Sequence, residues 1–177
     1  MYTIYIFNRQ GIAHQMRIPV HNEDSAMRLT QHTDYALRVL IHVGSKAGGA
    51  STIREIAESY GISRNHLMKV AHELGRIGLL APQRGRGGGL ALARAPAEIN
   101  VGDVVRRMEE SLALVECFKG PANTCPIAGL CRLEIALAQA LQAFLAVLDR
   151  LTLADLLVNR AAIAVRLGIV SNPAPSS

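Results

Sequence analysis

Thr52-Ile53-Arg54-Glu55-Ile56-Ala57-Glu58-Ser59-Tyr60-Gly61-Ile62-Ser63-Arg64-Asn65-His66-Leu67-Met68-Lys69-Val70 reads as two helices joined by a short turn. Thr52, followed three residues on by Glu55, has the form of a capping box, in which a hydroxyl and a carboxylate satisfy the first free amides of a helix. Ile53, Ile56 and Ala57 mark the buried edge of that helix, which ends near Tyr60. Gly61 supplies the turn, and Ser63 suits the N-cap of the next helix. Leu67, Val70, Ala71, Leu74 and Ile77 then recur at the spacing of one inward face. Arg64, Asn65, His66, Lys69, His72 and Arg76 fall on the other face, with Met68 on the same side. A short helix, a glycine turn and a second helix with a basic, hydrogen-bonding outer face describe a helix-turn-helix. The second helix is expected to enter a DNA major groove N-terminus first. Arg64 suits the paired acceptors of guanine and Asn65 suits adenine. Ser63 and the helix N-terminus suit a phosphate. Read blandly, the same pattern is a solvated helix face, so the flanking sequence matters.

Downstream, Leu79-Leu80-Ala81-Pro82-Gln83 and Leu90-Ala91-Leu92-Ala93 are expected strands, with Arg84-Gly85-Arg86-Gly87-Gly88-Gly89 between them. Two arginines on a glycine-rich hairpin tip make a wing suited to a minor groove, whose negative potential attracts Arg. A nucleotide-phosphate loop does not fit, because no Lys-Ser or Lys-Thr follows and no helix opens after the glycines.

Charge agrees with this reading. The chain has 177 residues and a formal net charge of +5. Residues 61–94 hold Arg64, Lys69, Arg76, Arg84, Arg86 and Arg94 against Glu73 alone, while the flanking segments are nearly balanced. A basic stripe on a balanced protein is the footprint of a polyanion partner. Half the residues are hydrophobic, enough for a packed core. Aromatics make up only 4% and there is no Trp, which argues against a base-stacking platform for single strands. No apolar run reaches the length of a membrane span; Gln139 and Gln142 interrupt the richest one. No nucleophile–base motif is present and the histidines are scattered, so an enzyme is not expected.

Upstream, Thr33-Asp34 is the expected cap of a helix with Leu37, Leu40, Ile41 and Val43 apolar, stopped within Gly44–Gly49. Residues 1–26 differ: Tyr2–Phe7 suits a short strand, Ile18–Asn22 an extended or loop segment, and the stretch lacks the features of a signal peptide. It is expected to be a dispensable extension. Asn100 and Asp103 open another helix with Val101, Val104, Val105 and Met108 apolar. Cys117, Cys125 and Cys131 follow, spaced C-x7-C-x5-C. An odd, clustered set argues for a reducing cytosol and a thiolate site over a disulfide framework. The spacing alone leaves an iron–sulfur cluster, zinc and inert buried thiols open. Leu133, Leu137, Leu141, Phe144, Leu145, Leu148 and Leu151 then form the seam of a long helix, expected to pair with a second copy. Thr152-Leu153-Ala154-Asp155 caps a short final helix, and Ser171–Ser177 suits a disordered tail.

These segments together resemble the iron–sulfur winged-helix regulators, from about Met27 to Leu167. The marks are Met27-Arg28-Leu29-Thr30, Thr33-Asp34-Tyr35-Ala36-Leu37-Arg38, Ile56-Ala57-Glu58, Gly61–Val70, Arg84–Gly89 and the three cysteines. Ser63–Val70 is similar to the nitric-oxide-sensitive branch. The branch that governs cluster assembly carries Glu where Met68 stands and a His ligand where Glu134 stands. One departure is the first cysteine gap, seven residues here and more often five in the family.

The resemblance implies a mainly α chain: a winged helix-turn-helix DNA-binding domain over 27–110 with a small β-hairpin wing, a cluster loop over 111–132, a dimerisation helix and short C-terminal helix over 133–167, and a disordered tail over 168–177. It implies cluster iron held by Cys117, Cys125 and Cys131 of one subunit and Asp34 of its partner, as a 4Fe–4S cluster in preference to 2Fe–2S. The expected function is a cytoplasmic homodimeric repressor. It would bind a palindromic promoter operator in double-stranded DNA through Ser63, Arg64, Asn65, His66, Lys69, Arg84 and Arg86. Nitric oxide would release it from nitric-oxide detoxification genes. Two alternatives stand beside this: a regulator of the same fold sensing iron or cluster supply, and a zinc or redox interaction protein that touches no DNA.

Overall fold

The computed structural model describes residues 2–7, 13–18, 28–46, 48–85 and 88–170. At its centre lies α1 (Gln31–Ser45), with Ala36, Val39, Leu40 and Val43 buried. The cap expected at Thr33-Asp34 is instead Thr30, whose hydroxyl accepts the Thr33 amide. Glu109 holds Thr30 in place, accepting its backbone amide at 2.7 Å and its hydroxyl at 3.2 Å. That partner is 79 residues away, and no local spacing signals it. Freed from capping, Thr33 is fully buried.

The helix-turn-helix follows the sequence reading closely. In α2 (Ile53–Tyr60) the Thr52–Glu55 capping box is complete. Gly61 closes the helix at φ +65°, a left-handed conformation that favours glycine. In α3 (Arg64–Arg76), Leu67, Val70, Ala71 and Leu74 are buried against α1 and α2. Ser63 occupies the N-cap position, yet its side chain makes no capping bond.

The wing pairs β3 (Leu80–Gln83) with β4 (Gly89–Leu92), antiparallel, with Leu80 opposite Leu92 and Gln83 opposite Gly89. β3 starts one residue later than expected and ends at Gln83 as expected, whereas β4 is displaced by one residue toward the N-terminus. The displacement of β4 has a cause: Ser51, before α2, bridges Leu90 through two backbone hydrogen bonds of 2.8 and 2.9 Å. A Cβ on Gly89 would stand 2.6 Å from the Ser51 carbonyl oxygen, so only glycine allows this approach.

Asn100 caps α4 (Val101–Met108) as expected, and Val101, Val104, Val105 and Met108 are all buried. The long α5 (Arg132–Asp149) has no buried residue. It crosses α4 near its end, where Arg106 forks onto Asp149 with two 2.6 Å bonds and the Asn100 amide donates to the Asp149 carbonyl. Thr152 completes a capping box with Asp155 at the start of α6 (Leu153–Leu156). A second helix, α7 (Arg160–Arg166), follows where one had been expected. Gly168 and Ile169 donate backbone hydrogen bonds back to α7, so residues 168–170 close that helix and are no disordered tail. The tail reading for 171–177 falls outside the described residues.

The expected strand β1 (Tyr2–Phe7) is present and pairs antiparallel with β2 (Ala13–Ile18), which sequence reasoning did not anticipate. Ala13-His14-Gln15-Met16-Arg17 lacks the β-branched alternation that marks a strand; it forms one by pairing. The Pro19–Asn22 reading lies outside the described residues. Among those residues, no helix is long and apolar enough to cross a membrane.

Candidate nucleic-acid interface and cysteine loop

The core built by α1, α2, α3, α4 and α6 fixes the orientation of α3. Its outer face carries Ser63, Arg64, Asn65, His66, Met68, Lys69, His72 and Arg76, all exposed. Arg64 lies 3.8 Å from Glu58, a loose exposed contact that leaves the guanidinium available. Arg76 is committed, forking onto Glu73 at 2.6 to 3.1 Å. Beyond α3, Arg84 stands exposed where the wing turns. Arg86 lies outside the described residues. Five predicted contacts thus share one helix and its cap, and a sixth sits on the adjoining wing. This is an arrangement able to meet a groove and its flanking phosphates.

The three cysteines occupy one connected segment between α4 and α5. Cys117 lies on a 3-10 turn (Glu116–Ala122), Cys125 on the loop after it, and Cys131 at the N-cap of α5. All three are free and half-buried. Side chains from the same segment shape it. Glu116 accepts the Thr124 amide and hydroxyl, Asn123 accepts the Cys125 amide, and Glu134 accepts the Gly129 amide at 2.8 Å. Partial burial pushes the Cys117 thiol up, and Glu134, Cys125 and Cys131 push it the same way. Three thiols on one short segment are a soft donor set, of the kind that suits a thiophilic metal centre. Among the described residues of the single chain, no group of three or more His, Cys, Asp or Glu is gathered tightly enough to hold a metal. The donor chemistry of the three cysteines fits a thiolate-held group. Asp34 is engaged elsewhere, paired with Arg38 at 2.9 Å on its own helix.

A profile described as iron-dependent transcriptional regulator, Rrf2, matches residues 29–159. The chain belongs to the Rrf2 family. The HTH-type transcriptional regulator NsrR of Geobacillus kaustophilus is 51% identical over 138 residues, covering 77% of this chain and 94% of its own length. Among solved structures, CymR, the global cysteine regulator of B. subtilis, superposes with a TM-score of 0.58 at 28% identity, covering 74% of this chain and 96% of its own. IscR of T. potens gives 0.61 at 26% identity, covering 77% and 90%. The kinship is of the NsrR type. This Rrf2 member is a winged-helix, DNA-binding transcriptional regulator and not an enzyme, so the reading as an interaction protein without DNA is set aside.

Several residues that organise this Rrf2 chain carry no sequence signal of their own. Glu109 and Glu134 act through partners that local spacing does not reveal. His42, fully buried in α1, is another. Ser59 donates its hydroxyl to the Leu167 carbonyl at 2.7 Å, so it accepts from His42 Nε2. Nδ1 is then left to accept from Ser51, the residue that anchors the wing. Burial holds the His42 pKa below its ordinary value, in keeping with a neutral ring.

Proposed function

We propose that two copies of this chain form a repressor dimer that binds a palindromic operator and releases it in response to nitric oxide. The observation that carries this reading is a loop bearing three free thiols, beside a long helix that fully buries none of its residues. Kinship to NsrR supports it. Cys117, Cys125 and Cys131 would hold an iron–sulfur cluster, with the partner subunit's Asp34 as fourth ligand. A 4Fe–4S cluster is favoured over 2Fe–2S. When bound, the cluster supplies iron that is open to nitric oxide.

The chain's own residues do the rest. A hard carboxylate is a more replaceable ligand for such iron than a soft thiolate, which makes Asp34 the weak link. Leaving Arg38 is cheap, because both side chains of that pair are over 40% exposed and an i,i+4 surface pair is worth about 0.3–0.5 kcal/mol. Once engaged, Asp34 ties α1 of one protomer to the cysteine loop of the other. Because α1 packs on α3, that tie sets the separation of the two α3 helices against the DNA repeat of about 34 Å. Ser63, Arg64, Asn65, His66 and Lys69 would face the DNA at the major groove, with Arg84 and Arg86 on the wing. A change of about 3 kcal/mol in DNA affinity is roughly a hundredfold. Residues 1–26 are dispensable to this scheme.

The family description as iron-dependent favours one second reading, in which the same dimer reports iron or cluster supply. Anaerobic purification tests both. About four iron and four sulfide per chain, with promoter binding lost on adding nitric oxide, is the expected result. Asp34→Ala should bind the promoter weakly or lose the response. Binding indifferent to nitric oxide but lost on iron depletion would select the second reading. Colourless, metal-poor protein that binds at full strength would overturn both.

A further inference from the structure

The outward face of α3 has two edges. Met68 and Gly75 border the side turned to the wing, where they adjoin Leu80, Pro82 and Leu90. The other edge is turned to α1. There His66 stacks on Tyr35, ring centroids 6.3 Å apart and planes 28° from parallel. Between the two helices lies a cleft of about 180 Å³, lined by Gln31, His32, Tyr35, His66 and Lys69 over the buried Val70. Every polar group on this lining is able to donate a hydrogen bond: an amide, a phenol, two imidazoles and an ammonium. Among the described residues, no carboxylate lines the cleft. The neighbouring acids are already paired, Glu73 with Arg76 and Asp34 with Arg38. Among the described residues, none of the five polar side chains takes part in a hydrogen bond or ion pair of its own.

A helix in a major groove about 12 Å wide runs between two phosphate strands. In the proposed complex the wing would stand near one of them. We propose that the Gln31–His32–Tyr35–His66–Lys69 cleft binds a backbone phosphate of the DNA strand on the other side. This rests on the DNA-reading function proposed above and adds α1 to the contacting surface. The cleft positions and does not specify, since phosphate contacts carry no base information. The Tyr35–His66 stack has a second consequence. It sets the His66 ring beside Tyr35 of α1, which favours one orientation of the most N-terminal histidine of α3 before DNA arrives.

The test uses the full chain, purified anaerobically, with two duplexes: one selected by the protein from a random pool and one of scrambled sequence. His32→Ala and Tyr35→Phe remove side-chain donors from half-buried positions, and Tyr35→Phe keeps the stack. Each should weaken both duplexes about three- to tenfold, equally, with the melting temperature unchanged. Lys69→Gln should lower the slope of log affinity against log salt by about one. A scan with single methylphosphonate linkages should find one position where neutralising the phosphate weakens the wild type but not His32→Ala/Tyr35→Phe. Wild-type affinity in the variants, or a loss confined to the selected duplex, overturns the phosphate cleft while leaving DNA reading intact. Saturable competition by inorganic phosphate at constant ionic strength, absent in Tyr35→Phe, would place the DNA phosphate in the same cleft and supports the proposal. Failure of the wild type to bind either duplex overturns the DNA-reading function itself.

Discussion

The helix-turn-helix body and the α5 arm are built on opposite terms. In the body, α1, α2, α3, α4 and α6 share one core, and Leu40, Ile56, Leu67, Leu74 and Val104 are all but fully buried. In the arm, the eighteen residues of α5 bury nothing, and Leu133 is 62% exposed. The preceding loop exposes Ile127 and leaves Leu130 87% exposed. The body therefore gains its stability within one chain. The arm is pinned at its C-terminal end, by Arg106 and Asn100 on Asp149, and leaves Leu133, Ile135, Phe144 and Val147 exposed along its length. Contiguous apolar surface of that kind marks an interaction face. The division suits a regulator: the reading head carries its own core, and in the proposed dimer a second copy would cover α5.

Mutations in the two regions should separate sharply. Leu40→Ala empties a fully buried site and should cost about 2–5 kcal/mol in urea unfolding. Leu133→Ala should barely move that midpoint and should instead alter sedimentation; equal destabilisation by both would erase the contrast. Gly89→Ala drives a Cβ into the Ser51 carbonyl and should cost about 1–3 kcal/mol. Its proteolytic nicking should concentrate at the wing while α5 cleavage is unchanged.

A smaller effect comes from His42, whose pKa is lowered in the fold. The unfolded chain binds the proton more readily, so stability rises with pH where the ring titrates. The urea midpoint should stay level above the ordinary histidine value of 6.5 and fall as pH drops below it. In His42→Gln that fall should disappear, leaving only carboxylate effects at lower pH. The smallest change is expected for Arg107→Ala, which removes an exposed i,i+4 pair with Asp103. It should shift stability by no more than about 0.5 kcal/mol. A larger shift by calorimetry would mean that α4 is braced by its surface charges as well as its core.

Spacing along the chain was sufficient for the helix-turn-helix, since its signals are local. The Thr52–Glu55 box, Gly61 and the inward face of α3 each lie within one or two turns, and each is observed. Asn100 and Thr152 were legible as caps for the same reason. Local spacing failed at Thr33-Asp34, because Glu109 reaches across the fold to make Thr30 the cap. It also missed β2, which depends on pairing for its conformation.

What residues 1–177 dictate on their own is most of the helices and the wing, the buried faces of α1, α3 and α4, and the kinds of donor carried by the reading helix and the cysteine loop. Those follow from periodicity, capping and side-chain chemistry, which act over a few residues. Folding in three dimensions settled the rest: Ser51 tying the wing to the body, His42 joining that tie to the chain's C-terminal helix, and Tyr35 meeting His66 across two helices. Each of these joins residues far apart in the chain, through interactions that exist only once the core has brought their helices together.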